Sequence, residues 1–179
     1  QIVTNKEDIH EYAALKLYKA ASKRSCHEVC VCLAAYLLGE IGFIICENDG
    51  TSGFEQFAAL HQHFPVVSSK CKATLLTCYV KLVNLYPDCA EYICGEFTKL
   101  SESSLLEVQQ RACEYLALIG QGSEIMAQVL EKMPEYDDKE ESVLHIIHKD
   151  LDDNKDTADK VNQNNHHCAC TMHCLPPPP

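Results

Sequence analysis

Positive charge is scarce in this chain. Lys and Arg number 15 against 26 Asp and Glu, which gives a formal net charge of −11 over 179 residues. A surface of this sign repels phosphate groups. The composition therefore argues against nucleic acid as a partner and against unaided binding to anionic lipid.

Signals for β-structure and for catalysis are also missing. No stretch alternates apolar and polar residues over a strand's length, and no Asn-Gly or Asp-Gly turn joins two such stretches. The chain has no phosphate-cradling glycine loop and no HExxH or GxSxG motif. We therefore predict an all-α protein that is not an enzyme and needs no cofactor.

A secretory signal is absent from the polar start of the sequence, residues 5–8. The first residue is Gln1 and the last four are prolines, so we expect a piece of a longer polypeptide. Twelve cysteines could indicate a disulfide framework. Most of them fall inside apolar helical stretches, where reduced Cys behaves as a small hydrophobe, so we predict a reducing, cytoplasmic setting.

One apolar run, Val29–Cys46, is long enough to test for a membrane span. Glu40 is the single charge in it. A charge near the middle of a span costs about 2.5–3.5 kcal/mol. We therefore predict that the run is a helix buried between neighbouring helices.

Helix signals recur along the chain. Ser25 with Glu28, Ser52 with Glu55 and Ser104 with Glu107 each fit a capping box, and Asn5 with Asp8 is a weaker version. Pro65, Pro87 and Pro134 are expected to end helices, as are Gly120 and Gly122. These signals predict helices at about 6–22, 26–47, 52–64, 69–86, 88–99, 104–120, 123–133 and 138–149.

The fourth predicted helix carries one narrow polar stripe. The stripe steps by three and four residues through Lys70, Thr74, Thr77, Lys81 and Asn84, and apolar side chains cover the rest of the circumference. A helix of this kind packs between two layers. In the sixth helix Glu107 and Arg111 are four residues apart, the spacing of an ion pair.

Similar patches recur about every forty residues. AAYLLGEIG, TCYVKLVN and CEYLALIG contain Tyr36, Tyr79 and Tyr115. The period is that of HEAT and armadillo helix pairs, so we predict an alpha-solenoid of stacked antiparallel hairpins over residues 1–149. Residues 150–179 are acidic and then rich in Cys, His and Pro, which predicts a disordered linker.

Five blocks of sequence follow in a recognisable order: QIVTN, AAYLLGEIG, LLTCYVKLVNLYP, LEVQQRACEYL and VLEKMP. From Gln1 to about His148 they resemble the alpha-adaptins, the large alpha subunits of the endocytic clathrin adaptor. The resemblance implies the C-terminal part of the trunk solenoid followed by the start of the hinge. The cysteine content and the tail HHCACTMHC depart from the family pattern, which suggests a divergent eukaryote.

This resemblance implies a non-catalytic scaffold in clathrin-mediated endocytosis and protein transport. Its partners would be a second large subunit, a medium subunit, a small subunit and the clathrin coat machinery. Association with the plasma membrane would be peripheral, through the whole complex, in clathrin-coated pits. The family's basic lipid-binding patch lies near the start of the trunk, so no residue here inherits that role.

Two other functions stay open from the sequence. One is a helical-repeat binding module of another kind, such as a different adaptin, a coatomer subunit or an importin-like carrier. The other is a metal-responsive regulator acting through the tail, whose potential zinc ligands are His166, His167, Cys168, Cys170, His173 and Cys174. Their spacing matches no zinc finger or ribbon, so we expect no metal site there.

Three further pairs of His or Cys residues do not indicate a metal or redox site. His145 and His148 have no third donor nearby and read as a solvated helix face. His61 and His63 lie near a helix end, where a cationic imidazole would suit the dipole. Cys26 and Cys30 are not a C-x-x-C pair, and we expect them to line a helix contact.

Overall fold

The computed structural model describes residues 2–132, which lie within one compact unit, Gln1–Glu135. No β-strand occurs in this part of the chain, so the all-α prediction is confirmed for it. The α-helices are α1 (His10–Ala21), α2 (Glu28–Ile41), α3 (Gly53–His61), α4 (Ser69–Leu85), α5 (Ala90–Leu100), α6 (Leu106–Gly120) and α7 (Ser123–Val129). The helix predicted at 138–149, the boundary at 149 and the linker at 150–179 lie outside the described residues.

Successive helices form stacked pairs, α1–α2, α3–α4 and α5–α6. The first helices of the pairs make one layer, and α2, α4 and α6 make the other. Neighbours in the second layer pack more closely than neighbours in the first, and we call α2, α4 and α6 the inner layer. This is the predicted arrangement of stacked helix pairs.

Helix α4 lies at the centre of the core. It contacts α2, α3, α5, α6 and α7. Its Tyr79 is fully buried and packs edge-on against Phe57 of α3, with 4.7 Å between ring centroids. Phe64 contacts the same ring. Every apolar residue of α4 up to Val83 is buried, as a two-sided core helix requires.

The connection after α2 is fixed by a buried amide. Gln56 is fully buried, and its Nε2 donates hydrogen bonds to the carbonyls of Gly42 (3.0 Å) and Thr51 (2.9 Å). A Cβ on Gly42 would collide with Gln56 Oε1, and one on Gly53 would collide with the ring of Tyr86. These two glycines therefore allow the connection to close against the core.

Only one of the predicted capping boxes forms at a helix start. Ser52 and Glu55 bond each other's backbone at the start of α3, as expected. The helix predicted from Ser25 begins later, and its cap is His27, whose Nδ1 accepts from the N–H of Val29 at 3.2 Å. The prediction at Ser25 is therefore wrong.

Two more cap predictions also fail. Helix α6 begins at Leu106, and no side chain caps it, although Ser103 accepts from the N–H of Leu105. The first helical turn is Glu7–Ile9, and its cap position is Lys6 instead of Asn5. The cap of α4, in contrast, is Ser68, which the sequence reading missed. Serine side chains therefore cap α3 and α4, whereas the serine caps predicted for α2 and α6 do not form.

Candidate protein-interaction surface

The polar stripe of α4 lies on the face of the inner layer that points away from the other layer. Lys70 is exposed and the other four stripe residues are half-buried, whereas the apolar positions around them are buried. On neighbouring α2, Val29 and Leu33 are 69% and 49% exposed. The surface therefore offers both charge and apolar contact, as protein-binding surfaces do.

Lys81 departs from its predicted role as a solvated stripe residue. Its ammonium pairs with the Glu40 carboxylate of α2, and the two side chains are only 14% and 9% exposed. The charge that interrupts the apolar run Val29–Cys46 thus has a cationic partner on the next hairpin. Because a buried carboxylate needs such a partner, the pair ties α2 to α4.

A second polar group joins α4 to α6. The Tyr115 hydroxyl lies 2.8 Å from Thr77 Oγ1. Arg111 donates from Nη1 to Thr77 Oγ1 (3.0 Å) and from Nε to Glu107 Oε1 (2.6 Å). The hydrogen bond with Glu107 is the main cause that raises the pKa of Arg111. The predicted Glu107–Arg111 pair is confirmed, and it holds the guanidinium in a fixed orientation.

Two histidines at and just after the end of α3 are part of the packing. His61 stacks on Phe57, and its Nδ1 lies 3.3 Å from the Tyr79 hydroxyl. Burial lowers the pKa of His61, which favours the neutral ring over the predicted cation. His63 is buried, and its Nε2 donates to the carbonyl of Ala21 at 2.7 Å, which caps the end of α1.

The cysteines in the described part of the chain are free thiols, and several belong to the core. Burial raises the pKa of Cys71 and of Cys78 to about 12, so both stay protonated. Cys26 lies before α2 and Cys30 within it, and burial also raises the pKa of Cys26. A raised pKa is opposite to what a reactive thiol needs, in agreement with a packing role.

The segment Glu28–Ile45 is long and apolar enough to cross a membrane by length and composition alone. Half of it is buried in the fold, and α2 packs against α1 and α4. The Glu40–Lys81 pair lies in the same segment. These contacts agree with the predicted buried helix.

Metal ligands are not clustered in the part of the chain that the structure describes, where no three His, Cys, Asp or Glu side chains could hold an ion together. The alternative zinc ligands His166, His167, Cys168, Cys170, His173 and Cys174 lie outside the described residues. His145 and His148 lie outside them too. The tail site therefore stays an untested alternative.

The interacting residues that the sequence reading missed are far apart in the chain. Glu40 meets Lys81 across 41 positions, and Thr77 meets Tyr115 across 38. Both separations along the sequence are close to the length of one hairpin repeat. That repeat is visible in the sequence as the recurring tyrosine patches. The repeat showed which helices are neighbours but not which side chains meet between them.

The chain has a clear family match. Its residues 1–123 match the family described as the adaptin N terminal region. The chain belongs to the adaptin family. The match names the N-terminal region and does not support the narrower prediction of the C-terminal part of the trunk with the start of the hinge.

Individual adaptins are similar to most of this chain. The AP-2 complex subunit alpha-2 of Dictyostelium discoideum is 38% identical over 142 residues, which are 79% of this chain and 14% of that protein. The AP-2 complex subunit alpha-2 of Arabidopsis thaliana is 35% identical over 164 residues, 89% of this chain and 16% of that protein.

A gamma adaptin is similar as well. The AP-1 complex subunit gamma-1 of Arabidopsis thaliana is 28% identical over 148 residues, 76% of this chain and 17% of that protein. The chain thus spans only about a sixth of the length of the adaptins that it matches.

Proposed function

We propose that this chain is part of the large alpha subunit of an AP-2-type clathrin adaptor and serves there as a non-catalytic scaffold. The observation that carries the proposal is the order of similarity within the adaptins. Identity is 38% to an AP-2 alpha subunit and 28% to an AP-1 gamma subunit, over alignments of similar length. The chain is thus more similar to the alpha type.

The fold supports a scaffold role. Stacked helix pairs transmit rigidity through neighbour contacts and present long faces to partners. The polar groups of the inner layer are engaged in joining α2 to α4 and α4 to α6. We propose that the subunit assembles with a second large, a medium and a small subunit. The complex would act with clathrin in endocytosis at the cytoplasmic side of the plasma membrane.

Affinity purification tests this proposal directly. The full-length protein that contains this region would be tagged in its own cells, and its stoichiometric partners would be identified by mass spectrometry. We expect the AP-2 set of second large, medium and small subunits. Recovery of the AP-1 set would instead assign the chain to the gamma type, and coatomer or import cargo would refute an adaptor role.

A matched pair of variants links assembly to the fold. Tyr79→Ala removes a fully buried ring from α4, whereas Tyr12→Ala removes a ring of α1 that is 66% exposed. We expect the first to reduce co-purification of the partner subunits and the second to leave it unchanged. Lys81→Ala is not a neutral control, since Lys81 pairs with Glu40.

A further inference from the structure

An open groove of about 490 Å³ lies between α4 and α6 on the inner-layer surface. Its polar lining consists of Ser69, Lys70, Thr74, Thr77, Glu107 and Arg111. The volume falls within the range of about 300–1,000 Å³ that is usual for ligand sites. From Lys70 to Thr77 the lining follows α4 for about 10 Å, at 1.5 Å per residue. That length suits a short stretch of extended chain.

One cation of the groove is already oriented. Arg111 uses Nε for Glu107 and Nη1 for Thr77 and Tyr115. These bonds leave the two Nη2 protons for another acceptor, because no described residue bonds them. A guanidinium held by its other donors loses little entropy on binding, which makes it a strong carboxylate receptor.

The second cation of the groove is Lys70, and its position does not stabilise α4. Lys70 is exposed and lies in the first turn of α4, where the helix dipole disfavours positive charge. It forms no ion pair among the described residues. Thr74 lies one turn further along the same wall, and its hydroxyl donates to the Lys70 carbonyl at 3.2 Å. The oxygen lone pairs of Thr74 can still accept a peptide N–H.

We propose that this groove binds an acidic peptide segment of a partner protein, with an Asp or Glu carboxylate between Lys70 and Arg111. The backbone N–H of the next residue would then donate to Thr74. Charge complementarity supports this occupant, since the groove holds two cations and its one acid, Glu107, is bonded to Arg111. The site goes beyond the proposed scaffold role and does not depend on which adaptor complex the chain enters.

The negative net charge of the chain makes non-specific binding of an acidic peptide unfavourable. A chain of −11 repels acidic peptides in general, so measurable binding requires a local site. The probe is a fluorescein-labelled peptide of alternating Glu and Ser, titrated with the full chain at low ionic strength and followed by anisotropy. We expect saturable binding that weakens with added salt. A peptide of the same length with Gln in place of Glu should not bind.

Two charge-reversal variants on α4 locate the site. Lys70→Glu should weaken binding of the Glu–Ser peptide by about tenfold or more, because it removes a charge-assisted hydrogen bond and adds repulsion. Lys72→Glu is the matched control, since the Lys72 ammonium lies 5.5 Å from the centre of the Phe64 ring and does not line the groove. It should change the affinity by no more than about twofold. Circular dichroism would confirm that both variants fold.

Three results would overturn the proposal. The first is no binding of the Glu–Ser peptide to the wild-type chain. The second is an equal loss of affinity in the two variants, which would mean general electrostatic attraction. The third is displacement of the peptide by inorganic phosphate well below the concentration of chloride that has the same effect. That result would identify a small-anion site instead of a peptide groove.

Discussion

The two junctions of the inner layer are built from different chemistry. Between α2 and α4 the backbones approach closely, since a Cβ on Gly39 would lie 3.5 Å from the Cα of Cys78. A buried Glu40–Lys81 pair closes this junction. Between α4 and α6 long side chains intervene, with the Tyr115 hydroxyl bonded to Thr77. The groove at the second junction, about 490 Å³, is larger than the pocket of about 280 Å³ beside Glu40 and Lys81 at the first.

This difference shows how one repeated unit can serve two purposes. At the α2–α4 junction Gly39 lets the helix backbones approach closely, and the Glu40–Lys81 pair ties the two helices together. Polar side chains at the α4–α6 junction satisfy one another and still leave donors for a ligand. The first junction is therefore expected to carry rigidity and the second to carry recognition.

The largest effect is expected in the core of α4, the helix that the two junctions share. Tyr79→Ala removes the ring that packs α4 on α3, and α4 belongs to both junctions. We expect the free energy of unfolding to fall by about 3–5 kcal/mol, because a large buried side chain is lost. Chemical denaturation of the full chain measures it. A loss below about 1 kcal/mol would mean that α4 is not the central core helix.

The next largest effect is expected at the α2–α4 junction. Lys81→Ala should cost about 2–3 kcal/mol, because a buried cation is removed from beside the Glu40 carboxylate. Lys70→Ala, on the same stripe but exposed, should stay within about 0.5 kcal/mol. Equal unfolding midpoints for the two variants would show that the pair does not stabilise the junction.

The same stripe shows how far sequence reasoning reaches. Helical spacing correctly separated the outward positions of α4 from its buried ones, since that depends on one helix alone. It could not distinguish Lys70, which is free of ion pairs among the described residues, from Lys81, whose partner is on another hairpin. Spacing within a helix reveals the exposed face but not the cross-hairpin contact.

In the candidate site, too, contacts within one helix were predictable from the sequence and contacts between hairpins were not. The Glu107–Arg111 pair was predictable, because its members are four residues apart on one helix. The bonds from Thr77 to Tyr115 and Arg111 were not, since they depend on how two hairpins stack. The groove between α4 and α6 arises from that stacking and has no sequence signature of its own.

A smaller effect is expected at the α4–α6 junction. Tyr115→Phe removes the hydroxyl that bonds Thr77 but keeps the ring that contacts Phe97. We expect a loss of about 1 kcal/mol, the usual value for one hydrogen bond. Tyr12→Phe is the control, since its ring is 66% exposed, and it should be neutral. A loss as large as that of Lys81→Ala would remove the distinction between the two junctions.

The smallest effect concerns a contact outside both junctions. Burial keeps the pKa of His61 below its ordinary value of 6.5, with Glu96 and Lys99 acting in opposite directions. The unfolded chain therefore binds this proton more tightly. The stability due to the neutral ring is present above pH 6.5 and is lost as the pH falls below that value. The free energy of unfolding should fall more steeply with decreasing pH in the wild type than in His61→Gln. Identical slopes would contradict a half-buried neutral ring.

Amide hydrogen exchange on the full chain tests the contrast between the junctions most directly. We predict that the amides of α2 and α4 are the most protected and that those of α6 exchange faster, because its junction is more open. Added Glu–Ser peptide should then slow exchange in α6 and at the start of α4 while leaving α2 unchanged. Protection that is uniform across α2, α4 and α6, and unaffected by the peptide, would contradict the account.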